Sequence, residues 1–150
     1  MTTIDEIDAR ILREVATDAK IPNVRLAAKV GLSPSACLRR VQELERQGIV
    51  AGYRARIDGK LLGRSFVAYV MVGLSSQKKA AHAAFERAIR ASREVVECHN
   101  VTGSVEYLLR VEVHDLAAYK HFHTEILGGL QDVTVITTYV VMASPKDERA

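Results

Sequence analysis

The chain has 150 residues, 48% hydrophobic and 26% charged, with a formal net charge of +3. That length holds one ordinary domain or two small ones, and the composition is that of a folded chain rather than a disordered one. No apolar run approaches the roughly 20 residues that span a bilayer, and the early acids Asp5, Glu6 and Asp8 fit neither a signal peptide nor a transit peptide, so no membrane partner and a cytoplasmic location are expected.

The charge is unevenly spread. Residues 1–18 carry Arg10 and Arg13 against five acids. Residues 19–56 carry Lys20, Arg25, Lys29, Arg39, Arg40, Arg46, Arg54 and Arg56 against Glu43 and Glu45 alone. The remainder is balanced. A short basic segment in an otherwise neutral chain is the footprint of attraction to phosphates. Cys37 and Cys98 are too far apart for a metal-type pair, and both lie in apolar patterns, so buried reduced thiols are expected.

In chain order, Ile4, Ile7, Ile11, Leu12 and Val15 recur at helical spacing and predict a helix from about Thr3 to Ala16. Asp18–Pro22 breaks it. A short second helix is expected from Asn23, as its cap, to Val30, with Leu26, Ala27 and Val30 inward. Gly31 then supplies a turn, Ser33 caps, and Pro34 takes the first helical position, where its missing N–H costs nothing. The third helix runs to Gly48, with Cys37, Val41 and Leu44 inward and Ser35, Arg39, Gln42 and Arg46 opposite. This is a helix-turn-helix whose last helix suits a major groove; a solvated amphipathic helix is the competing reading.

On the DNA reading, Ser35, Arg39 and Gln42 face base edges, and Leu38 faces a thymine methyl or the core. Arg25, Lys29, Ser33, Arg40 and Arg54 anchor phosphates, as most protein–DNA hydrogen bonds do, and Asn23 is grouped with them. Ile49–Ile57 reads as extended chain kinked at Gly52. It forms a wing that brings Arg54 or Arg56 to a phosphate or minor groove, or it is a sheet edge blunted by charge.

Residues 59–64 form the expected linker between a winged helix-turn-helix domain at 1–58 and a second domain at 65–150. Ser65–Leu74 reads as a buried strand. Lys78–Arg90 is helical, with Ala81, Ala84, Phe85, Ala88 and Ile89 on one face. Val95–Val101 and Tyr107–Val113 are strands joined by a glycine-containing loop. Leu116–Leu127 is helical with Leu116, Tyr119, Phe122 and Ile126 inward, Gly128-Gly129 ends it, and Val133–Met142 is the last strand. The charged tail from Ser144 is expected to be poorly ordered. The order β-α-β-β-α-β gives an α+β, ferredoxin-like sandwich. Its sheet is apolar on both faces and needs a second cover. With no sequence left over, that cover is another copy, and a homodimer suits palindromic half-sites.

The series Ile4-Asp5, Asp8-Ala9-Arg10-Ile11-Leu12, Asn23-Val24, Leu26-Ala27, Val30-Gly31-Leu32-Ser33-Pro34-Ser35, Cys37-Leu38-Arg39-Arg40-Val41, Gly48-Ile49-Val50 and Gly52-Tyr53 resembles the Lrp/AsnC (feast/famine) transcriptional regulators. So do Glu97-Cys98-His99, Val101-Thr102-Gly103, Glu106-Tyr107-Leu108-Leu109 and Thr138–Met142. The resemblance implies a regulator that binds double-stranded DNA, forms dimers and often octamers, and takes an amino acid as effector between dimers. It carries the effector response to Val101, Thr102, Gly103, Ser104 and Glu106, to Tyr139, Val140 and Val141, and to Asn100 and Leu116. Backbone N–H groups near Gly103 can hold an α-carboxylate and Glu106 an α-ammonium.

The family's commoner pattern is Gly-Asp-x-Asp-Tyr, whereas this chain has Gly103-Ser104-Val105-Glu106-Tyr107. That departure supports a second reading, an architectural DNA-binding protein without effector. A third is a sirohaem-type decarboxylase of the same fold, which needs histidines in the sheet cavity; the candidates are His99, His121 and His123. The intact basic helix-turn-helix argues against an enzyme. No catalytic residue, metal ligand or cofactor other than an effector is expected.

Overall fold

The computed structural model describes residues 4–147. The chain divides into two compact units, one up to Arg56 and one from Ile57.

The first unit is three helices: α1 (Glu6–Thr17), α2 (Asn23–Val30) and α3 (Pro34–Arg46). The expected start at Thr3 lies outside the described residues. Asp5 caps α1, its Oδ1 accepting from the Asp8 N–H at 2.8 Å. Asn23 does not cap α2: Pro22 holds that position in an extended conformation, which makes Asn23 the first helical residue. Gly31, at φ 76°, closes α2 in the left-handed conformation that glycine tolerates best. Ser33 then caps α3 by accepting from the Ala36 N–H at 3.3 Å, with Pro34 opening the helix. Ile11, Leu26, Ala27, Val30, Cys37 and Leu44 form the core, with Ile7, Leu12, Val15 and Val41 packed on it. Ile4, expected inward, is exposed, because it precedes the Asp5 cap and so lies off the helical face.

After α3, Ile49 and Val50 are tied back to the Leu44 carbonyl. Residues 51–57 are exposed and meet no strand among the described residues. The basic segment is therefore unpaired chain here; a strand needs a ladder partner, and none is supplied.

The second unit is a four-stranded antiparallel sheet in the order β2-β3-β1-β4. Its elements are β1 (Phe66–Leu74), α4 (Lys79–Ala91), β2 (Val95–Asn100), β3 (Tyr107–Val113), α5 (Leu116–His121) and β4 (Val133–Val140). Residues 59–64 belong with this unit as tight turns, the Arg64 N–H donating to the Gly59 carbonyl. From α5 the chain continues as a wider π-helical stretch over Phe122–Leu127. Gly128 and Gly129 end it where a Cβ would stand 2.7 Å from the Thr124 and Glu125 carbonyl oxygens.

Alternation settles the two faces of the sheet. Ala68, Val70 and Val72 of β1 and Tyr107, Leu109, Val111 and Val113 of β3 are buried with Phe85, Ile89, Tyr119, Phe122 and Leu127 from the helical segments. The opposite face carries Val67, Tyr69 and Met71 of β1. Beside them stand Leu108, Arg110 and Glu112 of β3 and Val135, Thr137 and Tyr139 of β4.

Three inward expectations fail. Ala84 is exposed, a quarter-turn or so off the α4 stripe of Ala81, Phe85 and Ile89. Leu116 is 65% exposed because it opens α5, directly after the Asp115 cap. Cys98 is exposed because it lies on the edge strand β2, while Cys37 is buried. Of the tail expected to be loose, Ser144, Lys146 and Asp147 line a hollow against Val67, Tyr69 and Arg110.

Candidate nucleic-acid interface and effector loop

The sequence of α3 turns two kinds of residue outward. Ser35, Arg39 and Gln42 are exposed, Leu38 is 46% exposed, and Arg39 makes no ion pair among the described residues. Arg40, one step on, turns back to α1: its Nη1 donates to Asp5 Oδ2 at 2.6 Å and Asp8 Oδ1 at 2.8 Å. The Asp8 backbone N–H, then the Arg40 guanidinium, hold the Asp5 carboxyl below its ordinary value. Arg46 is likewise engaged, with Glu43 at 2.5 Å. That bond, with a second from Gln47, lowers the Glu43 carboxyl to about 2.

The expected phosphate anchors therefore divide. Lys29 Nζ donates to Glu14 Oε2 at 2.5 Å, so Lys29 and Arg40 both serve the acids of α1 rather than standing free. Asn23 Nδ2 donates to the Pro34 carbonyl at 2.8 Å and fastens α2 to the start of α3. Ser33 is spent on its cap, with its hydroxyl 3.3 Å from that of Ser35. Arg25, Arg54 and Arg56 remain exposed without an ion pair among the described residues. One surface residue was missed: Val24, 66% exposed in the first turn of α2. Its signal was an apolar side chain outside the Leu26–Val30 stripe.

In the second unit, the β2–β3 loop is fixed at both ends. Asn100 Nδ2 and the Val101 N–H both donate to the Glu106 carbonyl, at 3.1 and 2.9 Å. Between them Thr102, Gly103 and Ser104 are exposed, and Gly103 sits at φ 141°, in backbone space that L side chains rarely enter. Glu106 does not present a free carboxylate. Its Oε2 accepts from the Leu74 N–H at 2.7 Å and its Oε1 from Gln77 Nε2 at 2.6 Å. Those two bonds, the backbone one foremost, hold its carboxyl below the ordinary value. The next residue, Tyr107, is buried, with its hydroxyl 2.9 Å from both Glu86 Oε1 and His82 Nδ1. Burial, then Glu86, pushes its pKa to about 12.

The other expected effector residues lie elsewhere. Leu116, Tyr139 and Val140 are exposed and Val141 is half-buried. Val140 and Tyr139 pair with Ala68 and Tyr69 near the start of β1, whereas Glu106 reaches Val72 and Leu74 at its end. Four strand residues separate the two groups, roughly 13 Å. One chain does not bring them together. As for the histidines, His99 is exposed beside Glu97 at 3.5 Å, and His123 lies edge-on to Tyr119. No group of three potential metal ligands occurs among the described residues.

A capped helix-turn-helix with an exposed arginine on its outer face, joined in one chain to a four-stranded α+β sandwich, defines a class: transcriptional regulators of two-part build. Residues 4–45 match the AsnC-type helix-turn-helix domain and residues 67–150 the Lrp/AsnC ligand binding domain, so the chain belongs to the Lrp/AsnC family. It is 41% identical to the leucine-responsive regulatory protein of Haemophilus influenzae over 143 residues, 95% of this chain and 86% of that one. The leucine-responsive regulatory protein of Escherichia coli is 40% identical over the same length, 87% of its own. A Neisseria meningitidis transcriptional regulator solved with L-Met has a TM-score of 0.92 at 32% identity, covering 97% of this chain and 94% of that one. The feast or famine regulatory protein of Mycobacterium tuberculosis, complexed with L-methionine, has a TM-score of 0.84 at 30% identity, covering 99% and 98%.

Proposed function

We propose that residues 1–58 bind double-stranded DNA sequence-specifically and that residues 65–150, with the 59–64 turns folded onto them, self-associate and bind an amino acid that modulates DNA binding. What supports the first half is the contrast between neighbours on α3. Arg40 is held by two carboxylates, which sets the helix, while Arg39 is left exposed beside Ser35 and Gln42 for base edges. Arg25, Arg54 and Arg56 are the phosphate contacts. The protein acts in the cytoplasm and catalyses no reaction; no described helix is long and apolar enough to cross a membrane.

The effector reading rests on the exposed Thr102–Ser104 backbone and on relatives solved with L-methionine. With Glu106 engaged inside its own chain, the loop offers its N–H groups to the α-carboxylate, and the rest of the site comes from a second copy. The Tyr139 group, on the far end of the sheet, faces such a site from a neighbouring dimer in an octamer-like assembly. The internal engagement of both Glu106 oxygens also favours one alternative, an architectural protein without effector. Thermal melts of the full chain with each of the twenty amino acids, paired with operator binding, decide between them. A shift with leucine or methionine that also changes DNA affinity supports the first; no shift with any of them supports the second.

A further inference from the structure

The outer face of the sheet is not uniformly apolar. Cross-strand neighbours there form rows: Glu97, Arg110, Tyr69 and Tyr139 in one, Glu112 and Val67 on one side of it, and His99, Leu108, Met71 and Thr137 on the other. Arg110 Nη1 pairs with Glu112, and their side chains are only 12% and 18% exposed. Arg110 Nε is buried with no acceptor among the described residues. Beside it lies a hollow of about 400 Å³ lined by Val67, Tyr69, Arg110, Val141, Ser144, Lys146 and Asp147. A buried guanidinium is tolerated when all its N–H groups are bonded, and an orphaned one costs stability.

We propose that Arg110 and Glu112 are the polar key of a two-fold sheet-to-sheet contact between copies of this chain. An oxygen of the second copy enters the hollow and accepts the Arg110 Nε–H. The proposal rests on the reading above that a second copy covers this face. The charge pattern selects that occupant. The face carries a cation in line with Glu97 and next to Glu112, so it presents both charges together and is complementary to itself under a two-fold axis. Tyr69, Met71 and Val67 around the pair exclude water, which raises its weight. Such a pair adds little net affinity over an apolar replacement but fixes one register, as single polar residues do in coiled coils.

Sedimentation velocity of the full chain tests this, with circular dichroism confirming that each variant folds. Met71→Lys, beside the key, raises the dissociation constant more than about tenfold if a second copy covers the face. Arg110→Lys keeps the charge but loses the Nε–H, and weakens association several-fold. The double variant Arg110→Met, Glu112→Leu still associates, but over more than one stoichiometry. Wild-type association by Arg110→Lys, or a single wild-type species from the double variant, overturns the key and leaves the covered face standing. Wild-type association by Met71→Lys overturns both. Were a small carboxylate the occupant, acetate would raise the melting temperature of wild type but not of Arg110→Lys, association would not change, and the proposal would fall.

Discussion

The two units solve their polar bookkeeping differently. The helical unit closes on itself: α1 and α3 are capped by the Asp5 and Ser33 side chains, and Arg40, Lys29 and Arg46 each meet an acid of the same unit. The sheet unit closes only one face. Its other face keeps an arginine N–H without acceptor among the described residues, and its expected effector residues stand at opposite ends of β1. A reading head that is complete in one chain can be presented rigidly to DNA. A control unit that is incomplete in one chain responds to whatever completes it, and that is a physical basis for coupling ligand to assembly.

The largest effect tests whether the units are separate cooperative bodies. Ile11→Ala opens a cavity in the helical core, where Ile11 is 1% exposed, and is expected to cost about 2–5 kcal/mol. Calorimetry should show one transition moved down and a second, from the sheet unit, unmoved. A single transition that shifts as a whole would break the comparison.

Next comes the division of labour on α3. Arg39→Ala should lower specific operator affinity by about 1–3 kcal/mol while nonspecific affinity at matched salt changes little. Arg40→Ala should do the reverse in kind: the melting temperature of the helical unit falls, and the ratio of specific to nonspecific binding survives in the folded protein. Equal loss of both affinities for Arg39→Ala in a salt-controlled shift assay would remove it from base reading.

That division shows what the sequence could carry. The helix-turn-helix was legible because periodicity, Gly31, Ser33 and Pro34 are local signals, and the strand order was legible because βαββαβ admits few topologies. Arg39 and Arg40 are chemically alike and adjacent, so only the placement of Asp5 and Asp8, more than 30 residues earlier, tells them apart. The partners of Glu106 were illegible for the same reason: they are the Leu74 N–H and Gln77, about 30 residues earlier in the chain. The exposed Leu116 and Cys98 failed because periodicity predicts a face, not whether anything covers it. Residues 51–57 form no strand among the described residues because an extended, basic run specifies a strand only where a partner exists.

The smallest expected effects are those of acid and of loop loosening, and they run in the same direction in both units. Asp5 and Glu43 in the helical unit and Glu106 in the sheet unit all have folded-state pKa values below their ordinary ones. A lowered carboxyl stabilises the fold above its unfolded pKa, and that contribution fades as pH falls through the folded one. For Glu43 the window runs from 4.5 down to about 2. Asp5 is exposed and Glu43 and Glu106 are partly so, so each contribution is modest and weakened by salt. Glu106→Gln keeps the side chain's shape but replaces one accepting oxygen with a donor that faces either the Leu74 N–H or the Gln77 amide. Protection of the Leu74 and Val101 amides, measured as exchange relative to the intrinsic rate at the same pH, should fall in that variant at pH 7, and in the wild type only as pH drops below 4.5. Unchanged exchange at Leu74 in Glu106→Gln would mean that the loop is held by its backbone bonds alone, and would free the Glu106 carboxylate for a ligand.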